Sequence, residues 1–515
     1  ADCMADSTGK ELTRGQALVG SLLLAKWIGK HRKNDRMIGI LLPASVGGAL
    51  ANIAALIAGK IPVNLNFAVG HESMLSAVNQ CEIKTVLTSR AFLERTKIEP
   101  PGEPIYMEDL LKQTTSFEKL QTALLAFLCP TRWIHWLFGG RKRNSRDLAT
   151  ILFSSGTTGE PKGVMLSHHN ILSNIEGFSQ VFQIGKADCL LGVLPFFHAF
   201  GLTGTLWFPI WNGFRAVYHS DPRDARIIGH LARKYTATVL ISTPTLYGIY
   251  LRKCSKEDFA MMRYTIAGAE RLRETVATGF REKIGIDLLE GYGCTEMSPV
   301  VSVNVPNFEK DNLAQTGWKP GTVGHPIPGI CAKVVHPESG ESLPPGEEGL
   351  LLVKGANRMV GYLNQPEKTS AVFQNGWYVT GDIARIDEDG FIQITDRLSR
   401  FSKIGGEMVP HARIEEAINR VIPDADCVVT AVSDERKGER LVVLYTGNPL
   451  ESSALRNLLQ KTDLPSLWIP KPDDFHCVPA IPMAATGKVD LRRVKAMATE
   501  LSANTVGHSA GETES

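Results

Sequence analysis

Over the first 400 residues, short apolar runs alternate with segments of helical length, and that alternation constrains the fold more than any other feature. MIGILLPA (37–44), IPVNLN (61–66), TVLTS (85–89), LATILFS (148–154), CLLGVLP (189–195), TVLIS (238–242), YTIAGA (264–269) and LLEGYG (288–293) each have the length and content of a buried strand. VGGALANIAALIAGK (46–60) between the first two has the apolar spacing of a core helix. Strands alternating with helices imply an α/β fold, with mostly parallel sheets covered by helices and ligands at the carboxyl ends of the strands.

From about residue 320 the texture changes. GTVGHPIPGICAKVVHPESGESLPPGEEGLLLVKG (321–355) is turn-rich and alternating, which predicts a small β-barrel-like subdomain over about 320–396. A further unit starts near ITDRLSRFSKIGGEM (394–408) and continues through HARIEEAINRVI, CVVTAV, RLVVLYTG and SALRNLLQKT. These segments predict a smaller, mobile α+β domain at 397–515, hinged near 396–400 to a large domain at 1–396. The tail beyond about 502, SANTVGHSAGETES, reads as disordered.

At 515 residues the chain needs more than one core, and 43% hydrophobic with 21% charged residues is the balance of a folded soluble protein. A net charge of +2 gives no reason to expect a nucleic-acid partner. Nine cysteines without a CxxC pair point to reduced thiols in a cytoplasmic compartment and to no zinc site. The opening ADCMADSTGK lacks an initiator methionine, as a segment of a longer protein would. No run is long and apolar enough to span a membrane. The nearest, ALLAFLCPTRWIHWLFGG (123–140), is broken by Pro130 and Arg132 and followed by RKRNSR. It has two readings: peripheral contact with a membrane interface at the inner face of the cell membrane, or packing on the protein's own surface.

The chemistry begins at FSSGTTGEPKG (153–163). A Walker A loop would need Gly-Lys-Ser/Thr, and here Gly159 is followed by Glu160-Pro161-Lys162. The ingredients still suit a polyphosphate: glycines let amides converge on oxygen, hydroxyls donate, and Lys162 adds positive charge. That content favours a phosphate grip over a plain hairpin turn. A decoy is HSDPRD (219–224), which has the HxxxxD spacing of glycerolipid acyltransferases. It reads better as a helix start, with Asp221 as cap and Pro222 at the first position.

FSSGTTGEPKG resembles the signature loop of the adenylate-forming superfamily, which takes in acyl-CoA and aryl-CoA synthetases, peptide-synthetase adenylation domains and beetle luciferase. PFFHAFG (195–201), AGAE (267–270), GYGCTE (291–296), TGD (380–382), DRLSRFSKIGGE (396–407) and ATGKVDLRR (485–493) resemble its further motifs, in order. The resemblance implies ATP and Mg²⁺ as cofactors. It places Ser154, Ser155, Gly156, Thr157, Thr158, Gly159 and Lys162 on the phosphates, and Glu296 on the metal. Gly268, Ala269, Glu270, Gly291, Tyr292, Gly293 and Thr295 would line the adenine side, with Asp382 and Arg397 at the ribose. Lys488 would bridge the acyl carboxylate and the α-phosphate. His198 either borders the carboxylate pocket as a gate or is a satisfied core histidine. Phe197-His198-Ala199 lacks the carboxylate that would pair with an amino acid's ammonium, so a simple carboxylic acid is expected. Ser399 stands where most relatives carry a hinge Asp or Lys.

LLPASVGGALANIAALIAGKIPVNLNF, IKTVLTSRAFLER and IGGEMVPHARIEE resemble, more narrowly, the synthetase half of bifunctional bacterial acyl-acyl-carrier-protein synthetase/2-acylglycerophosphoethanolamine acyltransferases. That resemblance implies a long-chain fatty acid activated as acyl-AMP and passed to the phosphopantetheine thiol of acyl carrier protein. Gly405 and Gly406 would let the pantetheine arm approach. Arg397, Arg400 and Lys403 either steer the acidic carrier or serve the nucleotide and the solvated surface. Coenzyme A is the alternative acceptor, and a silent fatty-acid or nucleotide-binding module the non-enzymatic one.

Overall fold

The computed structural model describes residues 2–510, apart from 69–70, 139–142, 155–160, 311–312, 405–406, 423–424, 435–437, 448–450, 463 and 484–488. The expected parallel sheets are present. In the smaller one, Ile61–Asn64, Met37–Ile40, Thr85–Thr88 and Glu103–Tyr106 lie side by side and all parallel. The first three are buried at every position, as strands covered on both faces must be. The helix Val46–Ile57 leads from one of these strands to the next. Its N-terminal amides are met by Ser45, whose Oγ accepts from the Gly48 amide at 3.1 Å.

The larger sheet has nine strands. Its six central strands, in the order Leu288–Gly293, Tyr264–Ala267, Val239–Ser242, Cys189–Gly192, Arg215–Tyr218 and Asp2–Asp6, are parallel throughout. Antiparallel strands close both edges: Glu11–Thr13 on one side, Val300–Val303 and His325–Pro326 on the other. A single hydrophobic core runs beneath this sheet and includes Phe196, Tyr218, Tyr247, Tyr250 and Phe280. Beyond residue 329, Ile330–Val335, Gly349–Gly355, Trp377–Ile386, Phe373–Gln374 and Ile392–Arg397 form a five-stranded antiparallel sheet, as the turn-rich texture predicts.

The C-terminal part builds its own sheet from Phe401–Ile404, Glu407–Pro410, Cys427–Asp434, Gly438–Tyr445 and Phe475–Cys477. Two cores drawn entirely from residues 404–501 flank it, which makes it a separate, smaller domain. Leu398 and Phe401 instead pack against Val335, Leu350, Leu352 and Ile383 of the preceding sheet, so the connector is anchored to the large domain.

Three expectations need correction. LATILFS does not take part in a parallel sheet: Leu148–Ser154 pairs antiparallel with Lys162–Ser167, with Ser154 opposite Lys162. The phosphate loop therefore does join a hairpin, to which Gly361–Tyr362 adds a third strand. The helix after HSDPRD is Ala225–Lys234, capped by Asp224 accepting from the Ile227 amide at 3.3 Å. Asp221 is spent one turn earlier, on the Arg223 amide. The tail beyond 502 is helical as far as Ala510, because it continues a helix begun at Leu491 and seated through buried Val494 and Ala498.

Within 123–138, residues 123–128 and 131–137 lie in the helices Ser116–Leu128 and Thr131–Leu137; most of their large apolar side chains face outward, while Ile134 is buried. No helix among the described residues is long and apolar enough to cross a membrane.

Candidate active site

Lys162 opens the second strand of the hairpin, directly after the phosphate loop. Its ammonium stands 5.2 Å from the centre of the Tyr362 ring. Tyr362 comes from the short third strand, held there by pairing with Val164 and by the Thr369 hydroxyl, which accepts from its amide at 2.9 Å. The Tyr362 hydroxyl donates to Glu296 Oε1 at 2.9 Å. One tyrosine thus joins the lysine of the phosphate loop to the carboxylate expected on the metal. Burial, and then the Glu296 charge, raise the pKa of Tyr362, so the phenol keeps its proton and acts as a donor. A half-buried carboxylate braced in this way is a hard oxygen ligand of the kind Mg²⁺ selects.

Glu296 sits in a single 3₁₀ turn, Thr295–Met297, whose backbone is fixed from the β subdomain side: the Met359 amide donates to the Glu296 carbonyl at 2.7 Å. The turn follows Leu288–Gly293 without slack. A Cβ on Gly293 would lie 2.1 Å from the Pro299 carbonyl oxygen, so only glycine allows the chain to fold back here. Gly291 pairs with Val303 in the same reversal.

Tyr292 reaches across to the next sheet, where its hydroxyl donates to Asp382 Oδ2. Arg397 donates to the other oxygen, Oδ1, through Nε at 2.8 Å. Asp382 is almost fully buried and lies between these two donors. A carboxylate has further lone pairs beyond these two bonds, so it can still accept from vicinal hydroxyls. The Asp382 charge is the main reason Arg397 is held more firmly protonated than usual. Burial, followed by the Asp382 charge, raises Tyr292 as well, and it too remains a donor.

The AGAE stretch, expected on the adenine side, meets two of the other motifs. A Cβ on Gly268 would sit 3.0 Å from the Phe200 ring and 3.4 Å from the Gly291 carbonyl oxygen, so three expected motifs meet at that glycine. Ala269 follows with φ +72°, a left-handed conformation that costs an alanine energy and is characteristic of functional turns. The Glu270 carboxylate is taken up by Thr245, accepting from its hydroxyl at 2.6 Å and its amide at 3.2 Å.

His198 packs edge-on against Phe197, which in turn meets Phe67, with ring centres 4.6 and 4.8 Å apart. It immediately precedes a helical segment that widens into a π-helix at Leu202–Trp207, a geometry often found at functional sites. Gly201 allows the turn, since a Cβ there would lie 2.1 Å from the Pro195 carbonyl oxygen.

Ser154 ends its strand opposite Lys162. Ser155, Gly156, Thr157, Thr158, Gly159, Gly405, Gly406 and Lys488 lie outside the described residues, as do the side chains of Ser399 and Lys403. Two of the three cations expected to steer an acidic partner are already paired within the protein: Arg397 with Asp382, and Arg400 with Glu415. Sequence reasoning passed over Tyr362, in RMVGYLNQ, and Tyr378, whose pKa is raised by burial and then by Cys294 and Glu296 nearby. Each is a lone tyrosine in a turn-rich stretch, with no pattern to distinguish it.

The comparisons with known proteins agree with this geometry. The description AMP-binding enzyme matches residues 2–363, and AMP-binding enzyme C-terminal domain matches residues 413–488. A long-chain-fatty-acid–CoA ligase of Bacillus subtilis is 28% identical over 526 residues, covering 96% of this chain and 91% of the relative. A long-chain-fatty-acid–CoA ligase of Salmonella typhimurium is 31% identical over 357 residues; that match takes in 68% of this chain and 61% of the relative. Among solved structures, ATP-bound MatB from Rhodopseudomonas palustris superposes with a TM-score of 0.79 at 25% identity, covering 96% of this chain and 95% of that one. ATP with Mg²⁺ is what enzymes of this class use. With residues 2–363 and 413–488 matched, the greater part of its length, the chain belongs to the AMP-binding enzyme family.

Proposed function

We propose that the protein joins a long-chain fatty acid to a thiol in two steps. A carboxylate oxygen first attacks the α-phosphorus of ATP, pyrophosphate leaves, and acyl-AMP is formed. A thiol sulfur then attacks the acyl carbon and AMP leaves. The observation that carries this reading is the convergence of Lys162 and Glu296 on Tyr362, beside the Tyr292–Asp382–Arg397 cluster. Two anions must be brought together in the first step, so the site has to neutralise charge where pyrophosphate departs. Lys162 does so from the hairpin, and Glu296 would hold the Mg²⁺ that shields the phosphates. Asp382, oriented by Tyr292 and Arg397, accepts from the ribose hydroxyls. The fatty acid as substrate is supported by the names of the relatives and by the absence of a carboxylate at Phe197-His198-Ala199.

The domain division we propose is 1–396 and 397–515, with Lys488 delivered by the smaller domain for adenylation and withdrawn for thioester formation, when Gly405 and Gly406 face the site. A rotation about 396–400 has to release identifiable contacts. These are Arg397 on Asp382, the Asp396 carboxylate on the Ala412 amide, and Arg271 on Glu416 at 2.7 Å.

Acyl carrier protein is the acceptor we propose, on the resemblance of three stretches outside the nucleotide motifs. Coenzyme A is the second reading, favoured by the relatives' names and by the internal pairing of Arg397 and Arg400. The test is exchange of radiolabelled pyrophosphate into ATP across a panel of fatty acids, followed by thioester assays with coenzyme A and holo-carrier protein side by side. No acid-dependent exchange with any member of the panel refutes fatty-acid adenylation. Thioester formation on coenzyme A alone refutes the carrier-protein reading.

A further inference from the structure

Eight of the seventeen large hydrophobic side chains that the described residues expose lie within 21 residues, between Phe117 and Leu137. In Ser116–Leu128 they are Phe117, Leu120, Leu124, Phe127 and Leu128, spaced so that they fall on one stripe of the helix. Thr131–Leu137 adds Trp133, Trp136 and Leu137 after the break at Pro130. Leu128 is 74% exposed and Trp133 66%, so these are not rim atoms of a core. Together they present roughly 900 Å² of apolar surface, well above the patch that a monomeric soluble protein ordinarily shows.

The two helices are firmly mounted. Ser116–Leu128 packs on the helix Arg14–His31, where the Phe127 ring lies 2.6 Å from the position of a Cβ on Gly15. At the far end Arg143 donates to the carbonyls of Leu56, Ile57 and Phe138, tying the exit of the second helix to the end of Val46–Ile57. The apolar stripe is therefore held outward by structure on both sides.

Its rim is cationic. Lys119 and Arg132 are exposed on the segment itself, Lys112 is exposed just before it, and Lys26 and Lys30 are exposed on the supporting helix, close enough to lower the pKa of Glu118 after its Thr115 hydrogen bonds have done so. Glu118 is engaged in capping its own helix through Thr115, and Asp109 is paired with Arg90. We propose that these helices form a docking surface for an anionic phospholipid bilayer. They would lie in the plane of the interface, with the apolar stripe among the acyl chains, Trp133 and Trp136 at headgroup depth, and the lysines and arginine on lipid phosphates. A second copy of the chain complements this surface poorly, because a two-fold contact would set the same cationic rim against itself. The inference rests on the surface alone and holds whichever acid the enzyme activates.

The test uses the full chain and vesicles of phosphatidylcholine with or without phosphatidylglycerol, scored by co-sedimentation. The wild type binds the anionic vesicles, and binding weakens as salt is raised. The pairs Trp133→Ser with Trp136→Ser, and Leu124→Gln with Leu128→Gln, each lower the partition by about tenfold or more. Lys119→Glu with Arg132→Glu leaves the stripe intact and removes the preference for phosphatidylglycerol. All three variants keep pyrophosphate exchange with a short, water-soluble acid, which shows that they fold. Absence of vesicle binding by the wild type, or binding unchanged in the variants, overturns the proposal. So does a dimer or a carrier-protein complex that depends on the patch when vesicles are not bound.

Discussion

Replacing Tyr362 by Phe removes one hydroxyl and nothing else from the contact between Lys162 and Glu296, the carboxylate proposed to hold the metal. The hydroxyl donates to Glu296 Oε1 at 2.9 Å, while the ring alone makes the 5.2 Å contact with the Lys162 ammonium. A hydrogen bond to a charged acceptor contributes about 1.5–3 kcal/mol, and the half-buried setting of Glu296 places this one near the lower end. About 1.5 kcal/mol corresponds to about tenfold in affinity, in line with what losing a donor behind a metal-binding carboxylate costs elsewhere. The Mg²⁺ concentration giving half-maximal pyrophosphate exchange at fixed ATP should therefore rise about tenfold in Tyr362→Phe, with little change in half-saturation by the acid. Tyr362→Leu also discards the ring, so ATP half-saturation should rise a further two- to fivefold, from a cation–π term of about 0.5–1 kcal/mol. Tyr362 is buried, and thermal melts of both variants separate loss of function from loss of fold. A Mg²⁺ dependence in folded Tyr362→Phe that overlays the wild type refutes the idea that this hydroxyl positions the metal ligand.

Lys488→Ala should lower acid-dependent pyrophosphate exchange by about 10²–10³-fold while leaving thioester formation from preformed acyl-AMP nearly intact; equal loss of both half-reactions contradicts a role confined to adenylation. Burial pushes the Glu290 carboxyl up to about 7, against the opposing Leu272 amide and Arg271. The folded state then holds a proton that the unfolded state releases near 4.5, so this group's stabilisation is full below about pH 4.5 and is lost as pH rises through 7, a swing of about 3 kcal/mol. Glu290→Gln removes that slope, so its melting temperature should match the wild type near pH 5 and exceed it at pH 8; parallel curves across that window refute the assignment. Gly201→Ala brings a methyl to 2.1 Å from the Pro195 carbonyl oxygen and should destabilise by about 1–3 kcal/mol or more, read as a lowered melting temperature and loss of exchange activity. A melting temperature equal to the wild type shows that the turn before His198 can relax.

The parallel sheets were legible because burial on both faces forces continuous apolar runs, and runs such as Met37–Ile40 and Val239–Ser242 have no other reading once helices separate them. The hairpin at the phosphate loop was open to the same treatment and was misassigned. Only seven residues, 155–161, separate Ser154 from Lys162, too few for the crossover that a parallel pair requires. The helix start after HSDPRD failed for a different reason: Asp221 and Asp224 are both competent caps, and the choice falls to the one whose following residues, Ala225, Ile228 and Leu231, find the core. Tyr362 was beyond reach altogether. It is brought beside Lys162 by a two-residue strand added to a hairpin some 200 residues earlier, and beside Glu296 by the amide of Met359. Neither pairing leaves a period or a spacing in the sequence. The motifs announce the groups proposed to meet the nucleotide, whereas the groups that hold those in place are supplied by tertiary contact. That division explains why Lys162, Glu296 and Asp382 could be named before the fold was known, while the tyrosine joining two of them could not.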